Sequence, residues 1–541
     1  MTFMHSVGFG VPVVILLLTV IVSYFLVMKP SDEMAKNGLL FISNVGKAHQ
    51  VCQRASKFVQ KVLYVNVKGN DAESMLPVIG KQINIFYSKA SSQCSKLDVR
   101  LMLKPSETIR EINTKFPIDV ILYDSELAKD IDQLKTSVNT IQSNYKLQSI
   151  DCKDIVQETA SEPVKRYENV ALGGTFDRLH NGHKILLSQA ALRATKHVTV
   201  GVTDVNMIQS KKLWELVEPL EIRMREVLNF LKDINPDLEY HVFPLQDLYG
   251  PTKSDPKYQL IVVSEETAKG ASKINEERVK GGLSAMDVHV IGLEEDKHPE
   301  RHSEEETKLS SSNQRMRLLG TLLKPPVPNP NIPDWPYVIG LAGGIASGKS
   351  NITEKLKAKG AAILNCDLIA HELYAPGMPI NGTIAETFGR DVITEQGEVD
   401  RKKLGQIVFG DPEQLNKLNS LIWPAVIEET QRRIKALGEQ GYKVVVMEAA
   451  VMVRAKWYQY CHQLWSVIVP REEAIARIQK RNNLSEEEAR QRVDAQPNNL
   501  EQITPANIVF SPYWSFEYTQ GQVDRAWQVL QEYLTQRKSK I

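Results

Sequence analysis

Cysteine is scarce in this chain, with five in 541 residues at Cys52, Cys94, Cys152, Cys366 and Cys461. They are odd in number and form no CxxC pair, which argues against a disulfide framework or a cysteine zinc site and for a reducing compartment. Net charge is scarce too. Lys+Arg 66 nearly cancels Asp+Glu 65, leaving a formal +1. No basic excess marks the chain as a nucleic-acid binder. A small acidic or phosphorylated substrate stays open, because such a site needs only a few local cations. With 42% hydrophobic and 24% charged residues, the composition excludes a collagen, a wholly disordered chain and a multi-span membrane protein. No internal repeat is visible. At about 150 residues per domain, the length suggests three or four domains.

One long hydrophobic run is present. Residues 7–28 carry no charge and include GVPVVILLLTVIVSYFLV. That length suits a single transmembrane helix across a hydrocarbon core of about 30 Å. A cleaved signal peptide is the rival reading. Against it stand the length of the run, the lack of a preceding Lys or Arg, and the Val27-Met28-Lys29-Pro30 ending, which offers no small-x-small cleavage site. Lys29 and Lys36 follow the run, so the positive-inside rule leaves the bulk of the chain cytosolic. The sequon Asn351-Ile352-Thr353 abuts a phosphate-binding loop described below. A glycan there would block it, which also speaks against a lumenal location.

Residues 38–160 are the least readable. Leu39-Leu40-Phe41-Ile42 and Ile118-Asp119-Val120-Ile121-Leu122-Tyr123 resemble buried strands, and residues 124–140 read as a following helix. The expectation is a small α/β region with a structural or targeting role. Residues 294–308 (EEDKHPERHSEEETK) read as a solvated charge run, and residues 324–336 (KPPVPNPNIPDWP) as an extended, proline-rich linker. The expected domains are therefore a membrane anchor at 1–37, an N-terminal region at 38–160, two catalytic domains at 161–323 and 337–541, and a linker at 324–336.

The first chemical constellation follows the strand-like Val170-Ala171-Leu172. Gly173-Gly174 permits a tight turn and close approach of a ligand. Thr175-Phe176-Asp177-Arg178-Leu179-His180-Asn181-Gly182-His183 then leads into an apolar helical pattern. His180 and His183 so fall at a helix N-terminus, where unpaired N–H groups and the helix dipole favour phosphate. Two imidazoles there can donate to phosphate oxygens as charge builds. Lys211 and Lys212 follow a second strand, Val198 to Val202, and either contact phosphate or are solvated charges.

GGTFDxxHxGH resembles the HxGH nucleotidyltransferases, in particular the phosphopantetheine adenylyltransferases. Leu309-Ser310-Ser311-Ser312-Asn313-Gln314-Arg315 resembles that family's ISSTxxR-type segment. The resemblance implies that Ser310, Ser311 and Ser312 hold the β- and γ-phosphates of ATP, and that Arg315 acts beside His180 and His183. The implied reaction is attack of 4'-phosphopantetheine phosphate on the α-phosphorus of ATP.

The second constellation is a phosphate-binding loop. The strand-like Tyr337-Val338-Ile339-Gly340-Leu341-Ala342 runs into Gly343-Gly344-Ile345-Ala346-Ser347-Gly348-Lys349-Ser350, which satisfies GxxxxGK[ST]. Its backbone N–H groups would wrap phosphates, Lys349 would reach the β/γ oxygens, and Ser350 would bind Mg2+. Residues 361–371 read as a strand ending in Asp367, an acid able to take a proton from a hydroxyl. A basic helical pair carries Arg481 and Arg492, to be read as a lid or as solvated charge.

This ensemble resembles dephospho-coenzyme A kinases. By resemblance, Asp367 takes the proton of the ribose 3'-hydroxyl, and Arg401 contacts substrate or is structural. Two departures stand out: Trp423-Pro424 where the family often has His-Pro, and Met447-Glu448-Ala449 where it often ends a strand in Asp. Glu448 would reach Mg2+ only through water.

The order of the two halves is similar to that of the animal-type bifunctional coenzyme A synthases, over residues 165–541. The expected fold class is α/β, with two doubly wound parallel-sheet catalytic domains behind the transmembrane helix and the small N-terminal region. The implied small molecules are ATP, Mg2+, 4'-phosphopantetheine and dephospho-coenzyme A, with no nucleic acid. The implied membrane is the mitochondrial outer membrane, with the endoplasmic reticulum as the alternative. The rivals are a membrane-tethered nucleotide-binding scaffold without turnover, and a different nucleotidyltransferase fused to a different small-molecule kinase.

Overall fold

The computed structural model describes residues 34–69, 72–94, 96–104, 111–151, 163–299, 301–409 and 411–538. They group into two compact units that part between Asn313 and Gln314.

The first unit contains two parallel sheets. Strands β1 (Ala35–Ile42), β2 (Val59–Val67), β3 (Asp98–Leu101), β4 (Ile118–Asp124) and β5 (Ile141–Ile150) form one sheet in the order β3-β2-β1-β4-β5. Strands β6 (Tyr167–Gly174), β7 (Ala194–Thr203), β8 (Glu239–Leu245), β9 (Leu260–Ser264) and β10 (Asp287–Ile291) form the other, in the order β10-β9-β6-β7-β8. Counted from its own first strand, each sheet reads 3-2-1-4-5. Parallel pairing requires crossovers, here made largely by helices. Those that matter below are α1 (Ala72–Gln93), α2 (Asn181–Arg193) and α3 (Leu220–Ile234). Helix and sheet cover on both faces explains why β1, β2 and β4 carry continuous apolar runs rather than alternation.

The two sheets share one core. Leu63, Val65, Ile83, Phe86, Tyr87 and Val99 belong to the same buried cluster as Ile185, Leu187, Val198, Val200, Phe230 and Leu231. The N-terminal region is therefore a full five-stranded layer packed into the half that carries the paired histidines. A segment expected to be helical differs. Residues 124–140 fold as two 3-10 turns and the single α turn Ile131–Leu134. The Thr136 and Ser137 hydroxyls donate back to the Gln133 and Leu134 carbonyls, competition that disfavours helix continuation.

The second unit is built on β11 (Tyr337–Gly343), β12 (Ala362–Asn365), β13 (Val444–Glu448), β14 (Gln463–Val467) and β15 (Ile508–Phe510), all parallel, in the order β12-β13-β11-β14-β15. The strand β11 enters α4 (Lys349–Ala358) through the glycine-rich loop.

Two expectations need correcting. Among the described residues no helix is long and apolar enough to cross a membrane. The long helices Pro412–Glu439 and Phe516–Lys538 carry charged residues along their length. Among the described residues the fold class is thus parallel α/β with no membrane-spanning helix, and the membrane partner and membrane-anchored location lose their support. Residues 7–28, which carry that expectation, lie outside the described residues. The charge run at 294–308 is not a solvated linker. Asp296 and Glu305 are buried, Glu295 bridges Lys308, and the Asn313 amide donates to Asp296 Oδ2 at 2.9 Å and to the Glu306 carbonyl at 2.9 Å.

Candidate active sites

In the first unit, β6 ends in Gly173-Gly174 beside β9, where the direction of strand addition reverses. Such reversals leave a crevice at the carboxyl ends of the strands. The loop that follows holds Phe176 at φ 50° and Arg178 at φ 48°, left-handed backbone that side-chain-bearing residues seldom adopt. Buried partners hold it there. Asp177 Oδ1 accepts from the Glu218 amide at 2.9 Å and from Arg178 at 2.8 Å. Arg223, itself buried, donates to the Thr175 carbonyl at 2.8 Å. A Cβ on Gly174 would meet the Phe176 ring at 3.1 Å.

His180 is the N-cap residue of α2 and His183 lies in its first turn. Their rings stack with centroids 3.8 Å apart, and Phe176 stands 5.3 Å from His183. Nδ1 of each histidine is buried and makes no hydrogen bond. Burial, reinforced by His183, holds His180 well below its ordinary pKa. Burial and then the charge of Lys211 hold His183 down at about 3. Both rings are therefore neutral at physiological pH, and Lys211 is brought to the pair. Lys212 lies in the same turn segment.

The serines separate in role. Ser310 Oγ accepts from the Asn313 amide at 3.1 Å, which caps the helix Ser311–Leu318. The Ser311 hydroxyl donates to the Asp177 carbonyl at 2.9 Å and ties the segment to the histidine loop. Ser312 is half-buried on the same turn, and Arg315, one turn on, is buried. The sequence reading missed Asn313 and Asp296, because their pairing depends on a loop folded back over distance.

In the second unit the loop from Gly343 to Ser350 caps α4. Gly343 tolerates no side chain, since a Cβ would lie 2.6 Å from the Val467 carbonyl oxygen. Gly348 has φ 91°, and a Cβ there would lie 2.6 Å from Pro512. Ala346 also has positive φ, 57°. The buried Ser347 hydroxyl makes no hydrogen bond. Lys349 Nζ folds back onto the Gly343 carbonyl at 2.7 Å and the Gly344 carbonyl at 3.3 Å. Burial lowers its pKa, opposed by the charges of Glu448 and Asp367. Ser350 is exposed at the mouth of the loop.

Asp367 sits in the first turn of the helix Cys366–Leu373 rather than on the strand, which ends at Asn365. Its Oδ2 accepts from the Ala450 amide at 3.3 Å. Glu448 is buried at the end of β13 and accepts from Thr353 at 3.3 Å. Burial raises its pKa, against the pull of Lys349. Lys349, Asp367, Glu448 and Arg481 thus form one electrostatic group. Arg401 rests against His371, one turn beyond Asp367 on the same helix, at 3.2 Å, and Arg492 is exposed beside Glu488.

Two loop-holding residues escaped the sequence reading. Gln496 Oε1 accepts from the Ile345 amide at 2.6 Å. Arg477 donates to the Ala346 carbonyl at 3.3 Å and the Pro512 carbonyl at 2.8 Å. The basic helical pair was the available signal, but helical spacing does not say which of its side chains faces the loop.

Comparison with known proteins agrees with this division. Residues 171–317 match the cytidylyltransferase-like family model, and residues 337–512 match the dephospho-CoA kinase model. The chain is 39% identical over 186 residues to a dephospho-CoA kinase of Carboxydothermus hydrogenoformans, covering 34% of this chain and 90% of that one. It is 36% identical over 190 residues to a dephospho-CoA kinase of Symbiobacterium thermophilum, covering 35% of this chain and 80% of that one. It is 39% identical over 174 residues to a phosphopantetheine adenylyltransferase of Saccharomyces cerevisiae, covering 32% of this chain and 56% of the yeast protein. Through its second unit the chain belongs to the dephospho-CoA kinase family, and it carries a cytidylyltransferase-like domain ahead of that kinase.

Proposed function

We propose that this chain catalyses two successive reactions of coenzyme A synthesis, with catalytic domains at residues 161–323 and 337–541 and a linker at 324–336. The observation that carries the proposal is a pair of separate phosphate cradles on one chain, one built on neutral histidines and one on a P-loop. The product of the first reaction has the free hydroxyl that the second one uses.

In the first step a phosphate oxygen of 4'-phosphopantetheine attacks the α-phosphorus of ATP. The bond from that phosphorus to the bridging oxygen breaks, and pyrophosphate leaves with dephospho-coenzyme A formed. The attacking oxygen is already ionised, so no protein nucleophile or base is needed. His180 and His183 donate N–H groups to charge that develops on the phosphates, and being neutral they do so without titrating near pH 7. Gly173, Gly174, Thr175 and Phe176 shape the floor. Ser310 and Ser312 with Lys211, Lys212 and Arg315 hold the phosphates that depart, and Ser311 ties their segment to the histidine loop.

In the second step the ribose 3'-oxygen attacks the γ-phosphorus of a second ATP, and ADP leaves. Asp367 takes the hydroxyl proton. Lys349 exchanges its loop carbonyls for β/γ oxygens, and the unpartnered Ser347 hydroxyl and the loop amides from Gly343 through Gly348 complete the cradle. Arg481 closes over the transferring group, with Arg492 and Arg401 as outer substrate contacts. Hard oxygen donors suit magnesium: Ser350 would hold it and Glu448 would reach it through water. When bound it neutralises charge across the phosphates.

The test uses the full chain, because a fragment starting near residue 160 would cut the shared core. Incubation with ATP, Mg2+ and 4'-phosphopantetheine should release pyrophosphate and yield coenzyme A. Lys349→Ala should stop at dephospho-coenzyme A. His183→Ala should block the first step and spare the second. No pyrophosphate from the unaltered chain refutes the proposal, as does finished coenzyme A from Lys349→Ala.

A further inference from the structure

The residue after the second histidine points away from the site, into the N-terminal layer. Lys184 is 4% exposed. Its Nζ lies 2.8 Å from Asp98 Oδ1 and donates to the Val99 carbonyl at 3.1 Å, at the start of β3. It also sits over the Tyr87 ring of α1, 6.0 Å from the centroid. Asn181, between the two histidines, donates to Ser91 Oγ at 2.9 Å and the Tyr87 carbonyl at 3.2 Å. Further along, Gln189 donates to the Gly80 carbonyl at 3.0 Å and Asn84 Oδ1 at 3.0 Å. Positions three apart share a helix face, so Asn181 and Lys184 pin one side of the first turn of α2, and Gln189 continues that seam along the helix.

The charge network continues across the layer. Asp98 accepts from Arg100 at 2.6 Å. Arg100 pairs with Asp233 of α3, and Asp233 accepts from the Tyr64 hydroxyl at 3.1 Å and the Lys115 amide at 2.8 Å. Two cations thus face two carboxylates. A buried ion network is a poor way to gain stability compared with apolar packing, and its best-attested use is to fix a register. Here the register is that of the helix whose first turn carries both histidine rings.

We infer that residues 35–150 form a positioning domain for the adenylyl-transfer step, and that Lys184 is the positioning residue through which they act. The inference rests on the reading of that step given above. His183 precedes Lys184 directly, so a rotation of the first turn that freed the lysine would carry the rings with it. A misplacement of about 1 Å at a reacting centre costs about 100-fold in rate.

The test compares Lys184→Met, Lys184→Arg, Asp98→Asn and the Lys184→Met/Asp98→Asn double variant in the full chain. Lys184→Met should lower kcat for pyrophosphate release by about 100-fold and leave KM for ATP within about threefold, the pattern of lost transition-state alignment. Phosphorylation of added dephospho-coenzyme A should be unchanged. Lys184→Arg should recover part of kcat. The double variant removes one charge of each sign, so it should regain thermal stability over either single variant yet stay slow in adenylyl transfer. Hydrogen exchange over residues 181–187 should accelerate in Lys184→Met. A kcat within about threefold of the unaltered chain overturns the inference, and so does full recovery of kcat in the double variant, which would make the network merely structural. If the unaltered chain releases no pyrophosphate, the adenylyl-transfer reading fails instead. Unchanged exchange over residues 181–187 then overturns the pinning as well.

Discussion

Gly343 offers a sharp test of how the P-loop is built. It pairs in register with Val467 across β11 and β14. An alanine Cβ there would lie 2.6 Å from the Val467 carbonyl oxygen, 2.7 Å from Ser347 Oγ and 3.1 Å from Lys349 Cγ. Ordinary contact begins at 3.4 Å, so the carbonyl must retreat by about 0.8 Å. No rotamer can absorb that, because the obstacle is strand backbone, and the two side chains crowded with it are ones proposed above to hold phosphate. A displacement near 1 Å at a reacting centre costs about 100-fold, or about 2.7 kcal/mol of barrier. The neighbouring position is the control. A Cβ on Gly344 meets nothing closer than Gln496 Oε1 at 3.5 Å, so Gly344→Ala should stay within about threefold. The assay is a chromatographic time course of dephospho-coenzyme A and coenzyme A made by the full chain from 4'-phosphopantetheine and excess ATP. Gly343→Ala should pile up the intermediate while pyrophosphate appears at the normal rate. Coenzyme A formation within threefold of normal in Gly343→Ala, or equal damage from Gly344→Ala, would refute the steric reasoning.

The histidine pair should make the first unit acid-sensitive. His183 has a folded-state pKa of about 3 against an ordinary 6.5, and His180 is depressed in the same direction. Below pH 6.5 the unfolded chain takes up protons that the folded site refuses, so stability falls as pH falls. At pH 5.5, one unit below the ordinary value, His183 alone should cost about 1.4 kcal/mol. The urea midpoint should drop between pH 7.5 and 5.5 by more in the unaltered chain than in His180→Gln/His183→Gln; equal drops would contradict the assignment. Gln496→Ala should raise KM for ATP in the kinase step by roughly fivefold, since a loop amide loses a hydrogen bond worth about 1 kcal/mol, with adenylyl transfer as the unaffected internal control.

The two cradles were legible because each is written contiguously as strand, glycine turn and helix start. His180, His183, Lys349 and Ser350 fall within a few residues of the strand end that presents them. Asp367 was found as an acid but assigned to the strand, since a four-residue strand followed directly by a helix leaves no turn to read. What escaped is non-local. Nothing near residues 294–308 announces that Asn313 will draw Asp296 inside. Nothing in the periodicity of α2 says that Lys184 points inward, because an isolated lysine reads as solvated charge until Asp98 is brought beside it. The hydroxyls at Thr136 and Ser137 carried a signal against a long helix over residues 124–140.

The shared core of the first unit has a consequence for how the protein is made. The five leading strands leave the ribosome with Arg100 facing no Asp233 and with the Val99 carbonyl lacking its bond from Lys184. At roughly 5–20 residues per second, the α3 segment that carries Asp233 arrives on the order of ten seconds later. Through that interval the nascent layer lacks the ion pair that closes its edge against α3. Protease added to stalled chains should cut residues 35–150 readily in those ending before Ile234 and spare them in longer ones.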